Sequence, residues 1–195
     1  GMEKQKDLIL SRLIEEGHPR AIFEKSTSSL RKREGLSEQK GHLYGDSSPE
    51  VEVLENGLLF FVHVLEGQKT GLFLDQREMR SCIRELSSGK RVLNAFSYTG
   101  GFSVAALAGG ASHVDSVDIS AKCGPALERN LLCNHLPLEK HRFLAVDAID
   151  FVREEPLSYD LLILDPPAFA KKRQDIPKAT HAYRKLNQKV LEKAP

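Results

Sequence analysis

The sequence contains no tryptophan, two methionines and three cysteines in 195 residues. Cys82, Cys123 and Cys133 are odd in number, far apart and free of any CxxC or His-paired spacing, which argues against a disulfide framework or a metal site. They fit a reducing compartment, and a cytoplasmic location is expected. No apolar run approaches the roughly 18 residues that span a bilayer, and the start "GMEKQKDLIL" lacks the apolar core of a signal peptide. Neither export nor membrane insertion is expected. Excess charge is missing too: 28 Lys and Arg stand against 27 Asp and Glu, a net charge of +1. A polycation that holds nucleic acid by bulk charge is excluded, so such contact has to come from local basic patches.

What is present is 41% hydrophobic residues, enough for one main domain with a small appendage. Leu8, Ile9, Leu13 and Ile14 recur at helical spacing, predicting a helix over 3–16 that Gly17 and Pro19 end. "AIFEKS" reads as a strand, and the polar stretch from "RKREGL" through "GHLYGDSSPE" reads as loop. In "VEVLENGLLFFVHV", Asn56-Gly57 separates two alternating runs, which predicts a hairpin with strands at 51–55 and 58–64, because both residues tolerate positive φ. A helix over 76–87 follows. From there strands "RVLNAF", "HVDSVDI", "HRFLAV" and "YDLLILD" alternate with helices beginning near Gly101, Pro125, Ala148 and Gln174. Nearly all-apolar strands in that order predict an α/β fold with a parallel sheet covered on both faces. Residues 1–66 form an N-terminal α+β part with the hairpin, and 67–195 a Rossmann-like domain.

Ligands of such sheets sit beyond the carboxyl ends of the strands, which directs attention to "VLNAFSYTGGFSVAALAGG". GxxxxGK[ST] is absent and so is GxGxxG, which disfavours phosphate and dinucleotides. The remaining common occupant of such a turn is S-adenosylmethionine. That occupant calls for an acid after the second strand to meet the ribose hydroxyls, and Asp118 in "SVDIS" stands there, followed by Ile119. It calls for a polar group near adenine after the third, where Asp147 and Ala148 lie, although Asp147 reads equally as the cap of the next helix. After the fourth comes "LDPPAF", in which Asp165 meets the cofactor's ammonium group, Pro166 and Pro167 stiffen the turn, and Phe169 offers a face to a flipped base. The basic "AKKRQ" that follows, with Lys171, Lys172 and Arg173, suits an RNA backbone.

"GQKTGLFLDQRE", "VLNAFSYTGGFSVAALAGGA", "SVDIS", "NLLCN" and "LDPPAFAK" together resemble the RlmI-like group of S-adenosylmethionine-dependent 23S ribosomal RNA methyltransferases, known for cytosine C5 methylation. The resemblance implies a class I methyltransferase sheet, S-adenosylmethionine as cofactor and ribosomal RNA as partner. It implies that Phe73, Asp75 and Arg77 border the cofactor, with Arg77 on its carboxylate, and that Phe96, Ser97, Tyr98, Thr99 and Gly100 line its methionine end. It makes Asp165, Pro166, Pro167 and Phe169 the catalytic loop. The chain departs from the family in two places. Gly124 and Pro125 interrupt a helix-forming run, so that helix is expected to start at Pro125. The family's nucleophilic cysteine, which would attack cytosine C6, is not matched by Cys82, Cys123 or Cys133, read instead as mostly buried thiols. The sheet is expected to stop at its fourth strand, whose edge is then either covered by the helix over 174–193 or paired in a homodimer. Methylation of a base nitrogen, such as guanine N7, and an inactive cofactor- or RNA-binding remnant are the alternative functions.

Overall fold

A computed structural model describes residues 2–28, 30–170 and 172–193. The chain divides into two compact units, Gly1–Val51 with Val62–Leu72, and Glu52–Phe61 with Phe73–Pro195.

In the first unit a 3-10 turn, Met2–Gln5, leads into α1, Lys6–Gly17. His18 closes the helix in the left-handed region and donates its N–H to Ile14 O. β1, Ala21–Ser26, pairs antiparallel with β2, Gln39–Gly45, and a single turn of helix, α2 (Leu30–Arg33), lies between them. β2 corrects the expectation of a loop. Its sequence, QKGHLYG, has no apolar alternation to announce a strand, and what makes it one is its main-chain ladder to β1.

The hairpin is as expected: β3, Glu50–Glu55, and β4, Leu58–His63, turn at Asn56 (φ 50°) and Gly57 (φ 78°). Its tip belongs to the second unit. There the order is α3 (Arg77–Leu86), β5 (Arg91–Ala95), α4 (Gly101–Ala108), β6 (His113–Asp118), α5 (Cys123–Cys133), β7 (His141–Ala145), α6 (Ala148–Glu154), β8 (Leu161–Leu164) and α7 (Ile176–Lys193). The four later strands form one parallel sheet in the order β7-β6-β5-β8. Strand order therefore reverses at β5, and the carboxyl end beside such a reversal is where ligands of open parallel sheets bind.

Alternation across the sheet sends Leu93, Ala95, Val117 and Leu162 to the face covered by α6 and α7, where Val152, Leu186 and Val190 meet them. α4 is buried from Phe102 to Leu107, as its small residues permit. α7 covers a face of the sheet, and the outer edge of β8 has no strand partner among the described residues. α5 starts at Cys123, two residues before the expected Pro125. Proline is tolerated in this first turn because the N–H it lacks would have no acceptor inside the helix.

Candidate functional site

Register decides which groups meet. Leu164, Ala95, Val117 and Leu144 lie in one row across the sheet. The segments that follow, starting at Asp165, Phe96, Asp118 and Ala145, therefore leave the same edge at the same level.

The turn after β5 holds an unusual backbone. Phe96 (φ 63°), Tyr98 (φ 48°) and Gly100 (φ 78°) all occupy the left-handed region, which costs an aromatic residue about 1 kcal/mol or more. Four hydrogen bonds over-determine it. Ser97 N donates to Val117 O and Gly100 N to Ser97 O, both at 2.9 Å. Tyr98 N donates to Asp118 Oδ2 at 2.9 Å, and Asn130 Nδ2 to Thr99 O at 3.1 Å. The ring of Phe73 meets that of Tyr98 edge-on at 5.8 Å. A Cβ on Gly100 would come within 2.3 Å of Leu127 Cγ. Glycine is thus required here by positive φ and by the packing of α5 against the turn.

Asp118 is half-buried, and its Oδ1 accepts Ser120 N at 2.9 Å. Ile119 beside it is 72% exposed and Val146, at the end of β7, 44% exposed. Two apolar side chains in water at neighbouring strand ends form a surface suited to a flat ring. Asp147 caps α6, its Oδ1 accepting Ile149 N at 2.7 Å and Asp150 N at 3.2 Å. Both bonds fall on one oxygen, so the cap and a ligand contact through Oδ2 are compatible. Ala148 is only 3% exposed and its side chain belongs to the core. A cavity of about 780 Å³ beside α6 includes Val146 and Asp147, but Arg91, Arg142 and Tyr159 in its wall lie toward the opposite ends of the strands. It meets the site only at Val146 and Asp147.

Asp165 is exposed at the end of β8. Phe169 is half-buried against the core, its ring centroid 4.5 Å from that of Tyr183 on α7. Tyr183 Oη accepts Phe169 N and donates to Pro167 O, each at 3.4 Å. Lys172 and Arg173 are exposed, and Lys171 lies outside the described residues.

The residues bordering the turn are brought together unevenly. Phe73 reaches it, whereas Arg77 donates from Nε and Nη2 to Asn56 Oδ1 at 3.3 and 3.1 Å, in the hairpin turn. Asp75 is exposed in the 3-10 turn before α3. The sequence reading missed the asparagines of "NLLCN". Asn130 Oδ1 accepts Phe61 N at 2.8 Å, and Asn134 Oδ1 accepts Leu59 N at 2.8 Å while its Nδ2 donates to Leu59 O at 2.6 Å. Two amides four residues apart, Asn130 in α5 and Asn134 at its C-cap, on either side of the apolar Leu131-Leu132-Cys133, were the available signal. Asn130 joins β4 to the glycine turn. Glu55 and Arg80, both buried, form a two-point ion pair at 2.6 and 2.7 Å, and Arg80 Nη2 also donates to Phe73 O at 3.0 Å.

Burial pushes the Cys123 thiol above its ordinary pKa, and the Asp118 carboxylate adds to the effect. Burial likewise raises Cys133, whose Sγ donates to Leu59 O at 3.3 Å. Cys82 is exposed, which corrects the expectation of a buried thiol: α3 buries Arg80 and Ile83 instead.

Ser97 supplies the test of fit for a cofactor. Its Oγ is buried with no hydrogen-bond partner among the described residues, an arrangement costing about 1–3 kcal/mol unless a ligand group completes it. The orphaned hydroxyl in the turn, carboxylates at three strand ends and the exposed Ile119 together fit a nucleoside joined to a zwitterionic amino acid.

A family model described as S-adenosylmethionine-dependent methyltransferase matches residues 28–194. The chain belongs to that family. It is 38% identical over 98% of its length to the ribosomal RNA large subunit methyltransferase I of Aliivibrio fischeri (strain MJ11), half of which it covers. A solved S-adenosylmethionine-dependent methyltransferase fold from Streptococcus mutans superposes with a TM-score of 0.79 at 32% identity, over 98% of this chain and 49% of that one. Another structure, determined in complex with SAH, gives 0.78 at 31% identity, over 96% and 49%. The chain spans about half the length of the curated relatives it matches. The cofactor is S-adenosylmethionine and the fold is the Rossmann-like sheet of its methyltransferases. Among the described residues no helix is long and apolar enough to cross a membrane.

Proposed function

We propose that this chain binds S-adenosylmethionine and contributes to methylation of large-subunit ribosomal RNA at cytosine C5, in the cytoplasm. One observation carries the reading: the register of the parallel sheet delivers the Ser97–Gly100 turn, Asp118, Asp147 and Asp165 to a single edge. The substrate follows from the relatives, which are named for large-subunit ribosomal RNA.

Ser97–Gly100 hold the methionine end, with Phe73, Asp75, Arg77 and Phe96 at its border. Asp118 and Ile119 take the ribose and adjoining ring, and Asp147 with the main chain of Ala148 takes the adenine amine. Asp165 receives the ammonium group. The bound cofactor supplies a methyl group made electrophilic by a sulfonium. Pro166 and Pro167 fix the loop, Phe169 borders the base, and Lys171, Lys172 and Arg173 meet the RNA backbone. Cytosine C5 needs a thiolate on C6 to become nucleophilic. Cys123 and Cys133, raised by burial, do not suit that role, and the thiolate is assigned to none of the three cysteines. The N-terminal part expected over 1–66 is assigned to the family's central domain. Association of two chains through β8 is no part of the proposal.

Calorimetric titration with S-adenosylmethionine tests the reading. Micromolar binding that is lost in Asp118→Ala is expected, and absence of binding by the wild type overturns it. A methyl-transfer assay on ribosomal RNA lacking the modification, followed by mapping of the methylated atom, decides between carbon and nitrogen.

A further inference from the structure

Between residues 170 and 193 the sequence holds eight Lys and Arg against two acids, Asp175 and Glu192, in a chain of net charge +1. Positive charge is concentrated in this segment and balanced elsewhere. α7 turns Ala179, Leu186 and Val190 into the core. The helical period then sets Lys178, His181 and Lys185 above one another along one flank, about 5.4 Å apart per turn. All three are exposed, as are Lys172 and Arg173 just before the helix.

These cations are not consumed within the protein. None of the ion pairs among the described residues involves Lys172, Arg173, Lys178, Arg184 or Lys185. Further along, Lys189 pairs with Glu192 at 3.3 Å and Lys193 donates to the carbonyls of Val152, Arg153 and Glu155. The unpaired charge therefore belongs to the first half of the helix. Helix stability alone favours acids there, because the macrodipole is positive at that end, and the first turn of α7 has none. With Asp175 the one acid at this end, helix stability does not account for the lysines that follow it.

The same helix carries Tyr183, which touches the Asp165–Phe169 loop through its ring and its hydroxyl. Tyr183 faces the core side of α7, and what brings the basic surface to the loop is its near end, since Lys172 and Arg173 follow closely after Phe169 in the chain. We infer that Lys178, His181 and Lys185, continued by Lys172 and Arg173, form a track for the phosphate backbone of the RNA substrate, deepening the function proposed above, on which it rests. Exposed lysines two turns apart, with His181 between them, follow a chain of phosphates and position it without reading sequence.

The whole chain is titrated with a short single-stranded RNA at several salt concentrations, as wild type, as Lys178→Gln/Lys185→Gln, and as Lys140→Gln, an exposed cation just before β7. The double variant is expected to bind RNA about tenfold more weakly at low salt, with the log–log salt slope smaller by about 1.4, two released counterions' worth. Lys140→Gln is expected to match the wild type, and all three are expected to bind S-adenosylmethionine equally. Unchanged RNA affinity and slope in the double variant overturns the track, as does an equal loss in Lys140→Gln. Tighter wild-type binding to anionic phospholipid vesicles than to RNA overturns it as well. RNA binding that depends on α7 in a chain that fails to bind S-adenosylmethionine supports the track and overturns the methyltransferase reading.

Discussion

Asp118 Oδ2 takes the main-chain N–H of Tyr98 at 2.9 Å, so the carboxylate that closes β6 also fixes the turn that closes β5. Its other oxygen holds Ser120 N. Asp118→Ala is expected to leave both N–H groups unpaired and to lower stability by about 1–3 kcal/mol. Asp118→Asn retains one acceptor oxygen and is expected to lie between. Urea unfolding checks the order, and an alanine variant as stable as wild type would mean that the turn stands without this carboxylate.

Two glycines at positive φ separate strain from crowding. At Gly57 a Cβ meets nothing within 4 Å, whereas at Gly100 it falls 2.3 Å from Leu127 Cγ. Gly57→Ala is expected to cost only the backbone term, about 1 kcal/mol. Gly100→Ala adds overpacking, for a total of about 2–4 kcal/mol, and should weaken S-adenosylmethionine binding because the turn has to move. Equal unfolding midpoints for the two variants would contradict this.

The buried pair of Glu55 and Arg80 joins the hairpin tip to α3. Arg80→Met leaves Glu55 buried without its cation and is expected to cost about 3–5 kcal/mol. Glu55→Leu together with Arg80→Met removes both charges and should recover much of that loss. A double-mutant cycle by chemical denaturation measures the coupling, and a double variant as unstable as the single one would show that packing, not charge, dominates.

Some of this was legible in the sequence and some was not. The strand and helix order from Arg91 onward could be read because parallel strands buried on both faces are continuous apolar runs. That Ser97–Gly100, Asp118, Asp147 and Asp165 leave one edge was legible because a parallel sheet brings every carboxyl end to the same side. β2 escaped because its pairing is made by main chain beneath polar side chains. The partners of Arg77, Asn130, Asn134 and Arg80 escaped because each contact joins residues 21 to 75 positions apart. Gly100 was read as lining the cofactor, whereas what makes glycine necessary there, its positive φ and Leu127 packed against it 27 residues away, is invisible to any local pattern.

The last prediction concerns acid. Asn94 Nδ2 donates to Ser103 Oγ at 2.7 Å, Ser103 Oγ lies 2.6 Å from Ser116 Oγ, and Ser116 Oγ lies 2.8 Å from His141 Nε2. With the amide donating at one end, each hydroxyl passes its hydrogen onward and the neutral ring accepts at the other. Burial lowers His141 to about 4, against the opposing pull of the Asp115 carboxylate. The unfolded chain, with an ordinary histidine, binds this proton near pH 6.5 and the folded chain near 4, so stability falls as pH drops through that window. The loss is expected to reach up to about 3 kcal/mol. Burial alone would raise the Asp115 carboxyl, but Arg142, Tyr159 and His113 outweigh it and hold it below its usual value. Its stabilisation is present above the ordinary carboxylate pKa and is lost only at still lower pH. His141→Gln is therefore expected to flatten the stability profile between pH 6.5 and 4 while leaving the steeper fall below pH 4 intact. Urea unfolding of both proteins across this range measures it, and parallel profiles would show that the half-buried ring is not the titrating group.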